Sequence, residues 1–330
     1  MDTIGLYDFL YLLAFDDAGD ELFGTNAPLA HEAFERSLAG TSMPTVWFEI
    51  PLSGPPRFDL HVAYDNGALH REAPFAADAA DGHGTLLNWY ASEPREGGGL
   101  ALAYDTGEGR IDDPAVHINV RDTDAFDAEG FFANVDRADA TMLYDGFSSH
   151  LPRGWRVWYF GVHPGRPGTP VRVDYFVDDD LKRAYASDPA RLGEDLRAVG
   201  FTDVSAQTIR IGGEIAASPY ALELQFDVLS DGTLGQNVGL SAGFPFEPAS
   251  KARLHWKSDG SAARLMEFAE KLGVADGRWR RIEDALFTTA VPDGSNMLAA
   301  YCVPTFVKFR MHADEPLDAK VYLQAGANTL

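Results

Sequence analysis

The sequence predicts an α/β (α+β) fold in which strand hairpins and helices alternate and the strands close into a ten-stranded antiparallel β-barrel with a polar lumen. Three observations predict it. Five segments read as strand, turn and second strand, most of them are separated by stretches of helical periodicity, and the strands carry one apolar and one polar row.

After an apolar first helix, PLAHEAFERSLAG (28–40) has helical spacing with a glycine at its C-terminal end. Period two then takes over. TVWFEIPLSGPPRFDLHVAYDN (45–66) holds two extended runs around a Ser-Gly-Pro-Pro turn, and the pattern recurs over 98–122, 156–179, 220–244 and 305–326. Helical periodicity fills 122–138, 179–200 and 261–273, with Asp178-Asp179-Asp180 placed to cap the second of these. Consecutive hairpins make antiparallel sheet, which excludes a doubly wound parallel fold. No linker divides the chain, so residues 1–330 read as one domain, with N-terminal helices over 1–44 and the barrel over 45–326.

Alternation assigns the faces. Phe58, Leu60 and Val62 alternate with Asp59 and His61; Val116, Ile118 and Val120 with His117, Asn119 and Arg121; Leu222, Leu224 and Phe226 with Glu223, Gln225 and Asp227. In the last hairpin Phe306, Phe309 and Met311 are set against Lys308, Arg310 and His312. Helices cover the apolar face, and the polar face must meet water, because burying such groups without partners costs roughly 2–7 kcal/mol each. An open sheet with a solvated polar face also satisfies the pattern. Closure is favoured because about ten strands suit a small-molecule cavity, and because the polar rows carry His, Arg, Trp and Phe.

Composition narrows the partners. With 27 Lys+Arg against 50 Asp+Glu the net charge is −23, which argues against nucleic acid and anionic membrane surfaces. Cys302 is the sole cysteine, so neither an intrachain disulfide nor a cysteine metal site is available. The N-terminus lacks a basic flank and a cleavage site, and no apolar run approaches the ~20 residues of a membrane span. A cytoplasmic protein, monomer or homodimer, is expected. Asp16-Asp17-x-x-Asp20 matches an aspartate-rich Mg²⁺ motif that belongs to helical bundles, and His31-Glu32 lacks the second histidine of a zinc-protease motif. Nucleotide-binding and serine-hydrolase motifs are absent from the sequence.

These residues resemble the aromatic prenyltransferases of the ABBA or PT-barrel superfamily. SGPPRFDLHVAY is similar to the family's Gly-x-Pro-x-Glu strand, with Asp59 at or near the carboxylate position. LELQFDVLSDGTLGQNVGLSAGF resembles a family hairpin, and AKVYL its diphosphate-holding Lys-x-Tyr strands. The length fits the bacterial soluble and peptide-modifying branches. The resemblance implies transfer of an allylic group from its diphosphate to an aromatic group of a small molecule or peptide, with no required cofactor; Mg²⁺ is not called for. Where the family repeats Arg, Lys and Tyr, this chain offers Arg172 and Asp174, then Asn237, Gly239 and Ser241. A barrel that binds or processes a different peptide or metabolite by acid/base chemistry is therefore the alternative.

That reaction needs a held diphosphate, a shielded allylic cation and a base. Arg121, Arg172, Lys308, Arg310 and Lys320 are candidates for the first, with Tyr322 as hydroxyl donor. Trp47, Trp158, Phe160 and Phe176 fall on polar-row parity and would shield the cation. Asp59 and Glu49 are the candidate bases, and His61, His117 and His312 could relay protons.

Overall fold

The computed structural model describes residues 19–24, 45–65, 89, 99–106, 114–120, 127–135, 151–163, 168–231, 233–293, 296–312 and 315–329. Its strands form five consecutive hairpins: β1 (Thr45–Pro51) with β2 (Asp59–Asp65), β3 (Gly99–Tyr104) with β4 (Ala115–Asn119), β5 (Trp155–Val162) with β6 (Val171–Val177), β7 (Ala221–Val228) with β8 (Leu234–Gly243), and β10 (Asn296–His312) with β11 (Glu315–Thr329). All neighbours are antiparallel, and β11 returns to pair with β1, so the ten strands close on themselves. The open-sheet alternative is excluded. One strand was not expected: β9 (Phe287–Asp293) pairs with the first part of β10, from Asn296 to Cys302, while β8 pairs with the part from Phe306 to Met311.

Alternation produces the layers. Along β1 the side chains of Val46, Phe48 and Ile50 are buried, while Trp47 and Glu49 between them are half-buried and line a central cavity. The same division runs through β6, where Val171, Val173 and Tyr175 are buried in the hydrophobic core and Arg172 lines the cavity. The main hydrophobic core therefore lies outside the barrel, between its apolar face and the helices. Closing the strands removes edges that would otherwise remain unpaired.

Among the described residues, α1 (Gly19–Phe23) sets Phe23 edge-on against Phe48 and Phe58, with centroids 5.6 Å away in each case. The helix α2 (Ala128–Asn134) brings Phe131 and Phe132 against Phe160. A continuous helical segment was expected over 179–200. It divides into α3 (Asp179–Ser187) and α4 (Pro189–Ala198), because Asp188 caps the second helix and Pro189 starts it. Asp178 caps α3 as expected, its Oδ1 accepting from the Leu181 amide at 2.9 Å.

Four elements were not anticipated: α5 (Ala206–Ala217), α6 (Ala249–Trp256), a 3₁₀ turn (Gly277–Arg281) and α8 (Ile282–Ala285). The expected helix near 261 is α7 (Ser261–Lys271). The helix expected over 28–40, and with it His31 and Glu32, lies outside the described residues, as do Asp16 and Asp17. No helix among the described residues is long and apolar enough to cross a membrane.

Two side chains lie on the opposite face from the one expected. A bulge between Val157 and Tyr159 interrupts the alternation of β5. Trp158 and Tyr159 consequently both line the cavity, and Phe160 turns outward into the core. On β10 an irregularity between Pro304 and Phe306 accompanies the inward placement of Phe306 beside the cavity. The apolar set there is Val307, Phe309 and Met311, all buried.

Candidate active site

The lumen holds a cavity of about 390 Å³, within the ~300–1,000 Å³ range of small-molecule sites. Its room comes from short side chains: Ala63, Ala101, Ala103 and Ala115 on one side, Gly239 and Ser241 on the other. Two inward-facing glycines let larger neighbours lean across them. A Cβ on Gly161 would meet the His117 ring at 2.9 Å, and one on Gly239 would stand 3.2 Å from Lys308 Cε.

Glu49 organises one side. Its Oε1 pairs with Lys320 Nζ, and its Oε2 lies 2.9 Å from His61 Nε2. Burial pushes the Glu49 carboxyl up, but Lys320 and His61 together hold it well below the ordinary carboxylate range. The same pairing raises Lys320. Tyr322 stands edge-on to His61 with centroids 5.8 Å apart, and burial followed by the nearby Glu49 charge keeps its phenol protonated. His61 stacks on His117 at 5.6 Å. Burial, then the proximity of His61, pushes His117 well below its usual value, so it is a neutral imidazole.

The other side is a chain of hydrogen bonds. Lys308 donates to Gln225 Oε1, Gln225 Nε2 donates to the Tyr159 hydroxyl at 2.7 Å, and Tyr159 is hydrogen-bonded to Asp174. Lys308 forms no ion pair among the described residues; burial, then nearby Arg172, depresses it. Arg172 donates to Asp227 Oδ1 at 2.9 Å, and that partner keeps it charged against the effect of burial. Asp174 is fully buried, and burial raises its carboxyl.

Most of the residues expected from the sequence meet here. Glu49, His61, His117, Arg172, Lys308, Arg310, Lys320, Tyr322, Trp47 and Trp158 all line the cavity. Phe176 is set back, its ring packed 5.4 Å from that of Trp158. Asp59 is only 5% exposed and is not part of the lining. Its Oδ1 accepts from the Thr106 amide at 2.9 Å, which ties the start of β2 to the end of β3. Asp59 stands opposite Glu49 in the β1–β2 register, on the same face of the sheet but beyond the cavity lining. Arg121 lies outside the described residues, and His312 is exposed and away from the cavity lining.

The lining also includes Tyr159, His163, Glu223, Gln225, Asp227 and Phe306, which were not selected from the sequence. Glu223, Gln225 and Asp227 were visible in the polar row of β7. Tyr159 and Phe306 were hidden by the irregularities in their strands. Among the described residues, no group of three or more His, Cys, Asp or Glu side chains is arranged to hold a metal ion.

No family model matches the sequence, and no curated protein matches it. Solved structures do. The 6-dimethylallyltryptophan synthase from Micromonospora olivasterospora, in complex with DMASPP and Trp, superposes with a TM-score of 0.51 at 13% identity, covering 84% of this chain and 81% of that one. AnaPT from Neosartorya fischeri superposes with a TM-score of 0.41 at 9% identity, covering 88% and 79%. With its closed ten-strand antiparallel barrel, this chain has the PT-barrel fold.

Proposed function

We propose that the lumen transfers an allylic group from its diphosphate to an aromatic ring of a small molecule or peptide, using side chains and no obligatory metal. The observation that carries this reading is Lys308, a half-buried ammonium on the lumen wall, held by an amide and forming no ion pair among the described residues, with the Arg172 charge nearby. An anion placed there would relieve both the burial and the repulsion. The Tyr159 and Tyr322 hydroxyls, kept protonated by burial and nearby carboxylates, donate to Asp174 and Glu49 and would reach an anion by turning from them.

In this reading the allylic C–O bond breaks and its electron pair leaves with the diphosphate. The Trp47, Trp158 and Phe306 rings around the cavity shield the cation from water, each face contributing roughly 0.5–2 kcal/mol. The acceptor ring attacks, a C–C bond forms, and the displaced ring proton passes to Glu49, directly or by way of His61. Glu49 suits that task because Lys320 and His61 hold it ionised.

The test supplies dimethylallyl or geranyl diphosphate with a panel of indoles, phenols and aromatic peptides, in EDTA and in Mg²⁺. Prenylated product is read by mass spectrometry. Product in EDTA is expected, with a fall of about 100-fold or more in Glu49→Gln and near-normal turnover in Asp59→Asn. Absence of product in every combination overturns the proposal.

A second reading keeps the lumen but drops the prenyl donor. It draws on the pairing of Arg172 with Asp227 and of Lys320 with Glu49, which leaves less positive charge for a diphosphate. The lumen would then bind or process a peptide or metabolite by acid/base chemistry. Pyrophosphate separates the two, since a ligand of the folded state raises its melting temperature.

A further inference from the structure

We infer that Asp174 couples anion binding beside Lys308 in the lumen to the uptake of one proton, accepting that proton itself and so releasing Tyr159 to the anion. The inference rests on the reading of the lumen as a diphosphate site and adds to it a titrating residue buried beside the lumen.

The geometry comes first. Asp174 is 0% exposed and lies on the inward parity of β6, flanked in register by Tyr159 on β5 and Gln225 on β7. Its Oδ1 has no hydrogen-bond partner among the described residues, and its Oδ2 is 3.5 Å from Gln225 Nε2. The donations from Lys308 to Gln225 and from Gln225 to Tyr159 run in one direction, and Asp174 is the acceptor at their end. A dry carboxylate with one unsatisfied oxygen is costly, and protonation turns that cost into a spare O–H donor.

The surrounding charges decide what an arriving anion would do. Arg172 on the same strand is committed to Asp227 on β7, and Glu223 on β7 also lines the lumen. On β10, Lys308 is the cation that acts on Asp174 most strongly. A diphosphate at Lys308 would therefore compete with Asp174 for the same positive charge, where water cannot screen either group. Burial has already raised the Asp174 carboxyl, so the added negative charge tips it to the neutral acid. The Tyr159 hydroxyl is then free to turn from Asp174 toward the anion. Asp174 acts through Tyr159 and Lys308, so it is a positioning residue.

Difference infrared spectroscopy tests this directly. A non-hydrolysable thio-analogue of dimethylallyl diphosphate is added to the protein at mildly alkaline pH. The expected result is a new carbonyl band of a protonated carboxylic acid, shifted by ¹³C-aspartate labelling and lost in Asp174→Asn. Binding by wild-type protein without a ¹³C-sensitive band overturns the inference and leaves the proposed function standing. If Asp174→Asn does not fold, Asp174→Glu takes its place: the acid band is retained there but no longer shifts with ¹³C-aspartate, and a band that still shifts overturns the inference. Failure of the analogue to bind wild-type protein overturns both.

Discussion

Glu49 is a carboxylate that burial alone would neutralise and that its neighbours keep charged. Lys320 and His61 outweigh desolvation, so its carboxyl lies well below the ordinary range. A depressed carboxyl contributes stability that is present above the unfolded-state value of about 4.3 and is lost as pH falls through the folded-state value. Glu49→Gln leaves Lys320 without its counter-charge, and removing one partner of a buried pair costs roughly 3 kcal/mol. Urea denaturation at neutral pH is expected to show that loss, and the gap from wild type should close as the pH drops below about 4. A gap independent of pH would remove the Glu49–Lys320 charge pair as its cause. Asp59 is the instructive contrast at this scale. Its Oδ1 accepts from the Thr106 amide, a contact 47 residues distant that local patterning does not contain.

The five hairpins were legible because each strand needs to bury only one face, and period two records which. Helices that pack broadly left weaker traces. α5 contains Gly212 and Gly213, poor helix formers that sit where a Cβ on Gly212 would meet Leu192 Cδ2 of α4 at 2.1 Å. Close helix packing explains that choice, and nothing in the local pattern reveals it. The β5 bulge was hidden for the same reason: one extra residue between Val157 and Tyr159 reverses the parity of all that follows. Phe160 therefore lies in the core, and Tyr159 was overlooked.

Helix starts were easier to read, since capping is local. Asp178 both accepts from the Leu181 amide and precedes two acidic residues in the first turn of α3. Asp178→Ala should cost about 1 kcal/mol in urea denaturation. Any turnover should be unchanged, because Asp178 is not part of the lumen lining. A stability change near zero would show that the cap is dispensable.

For the whole molecule, a net charge of −23 and a proposed anion site are compatible because the two occupy different depths. At physiological ionic strength the Debye length is about 8 Å, so exposed surface acids act weakly on a half-buried ammonium. The lumen has its own local balance: Arg172, Lys308, Arg310 and Lys320 share it with Glu49, Asp105, Glu223, Asp227 and Asp318. The alternation of polar and apolar rows made that convergence readable as a class of architecture. Which charges neutralise one another depends on register across strands far apart in sequence. Arg172 opposite Asp227 and Glu49 beside Lys320 are examples.

The most direct test is a crystal structure of the protein with a thio-analogue of dimethylallyl diphosphate. The predicted result is diphosphate density inside the barrel, within hydrogen-bonding distance of Lys308, with the allylic tail among Trp47, Trp158 and Phe306. Well-ordered density outside the barrel, or a lumen that stays empty at saturating analogue, would contradict it.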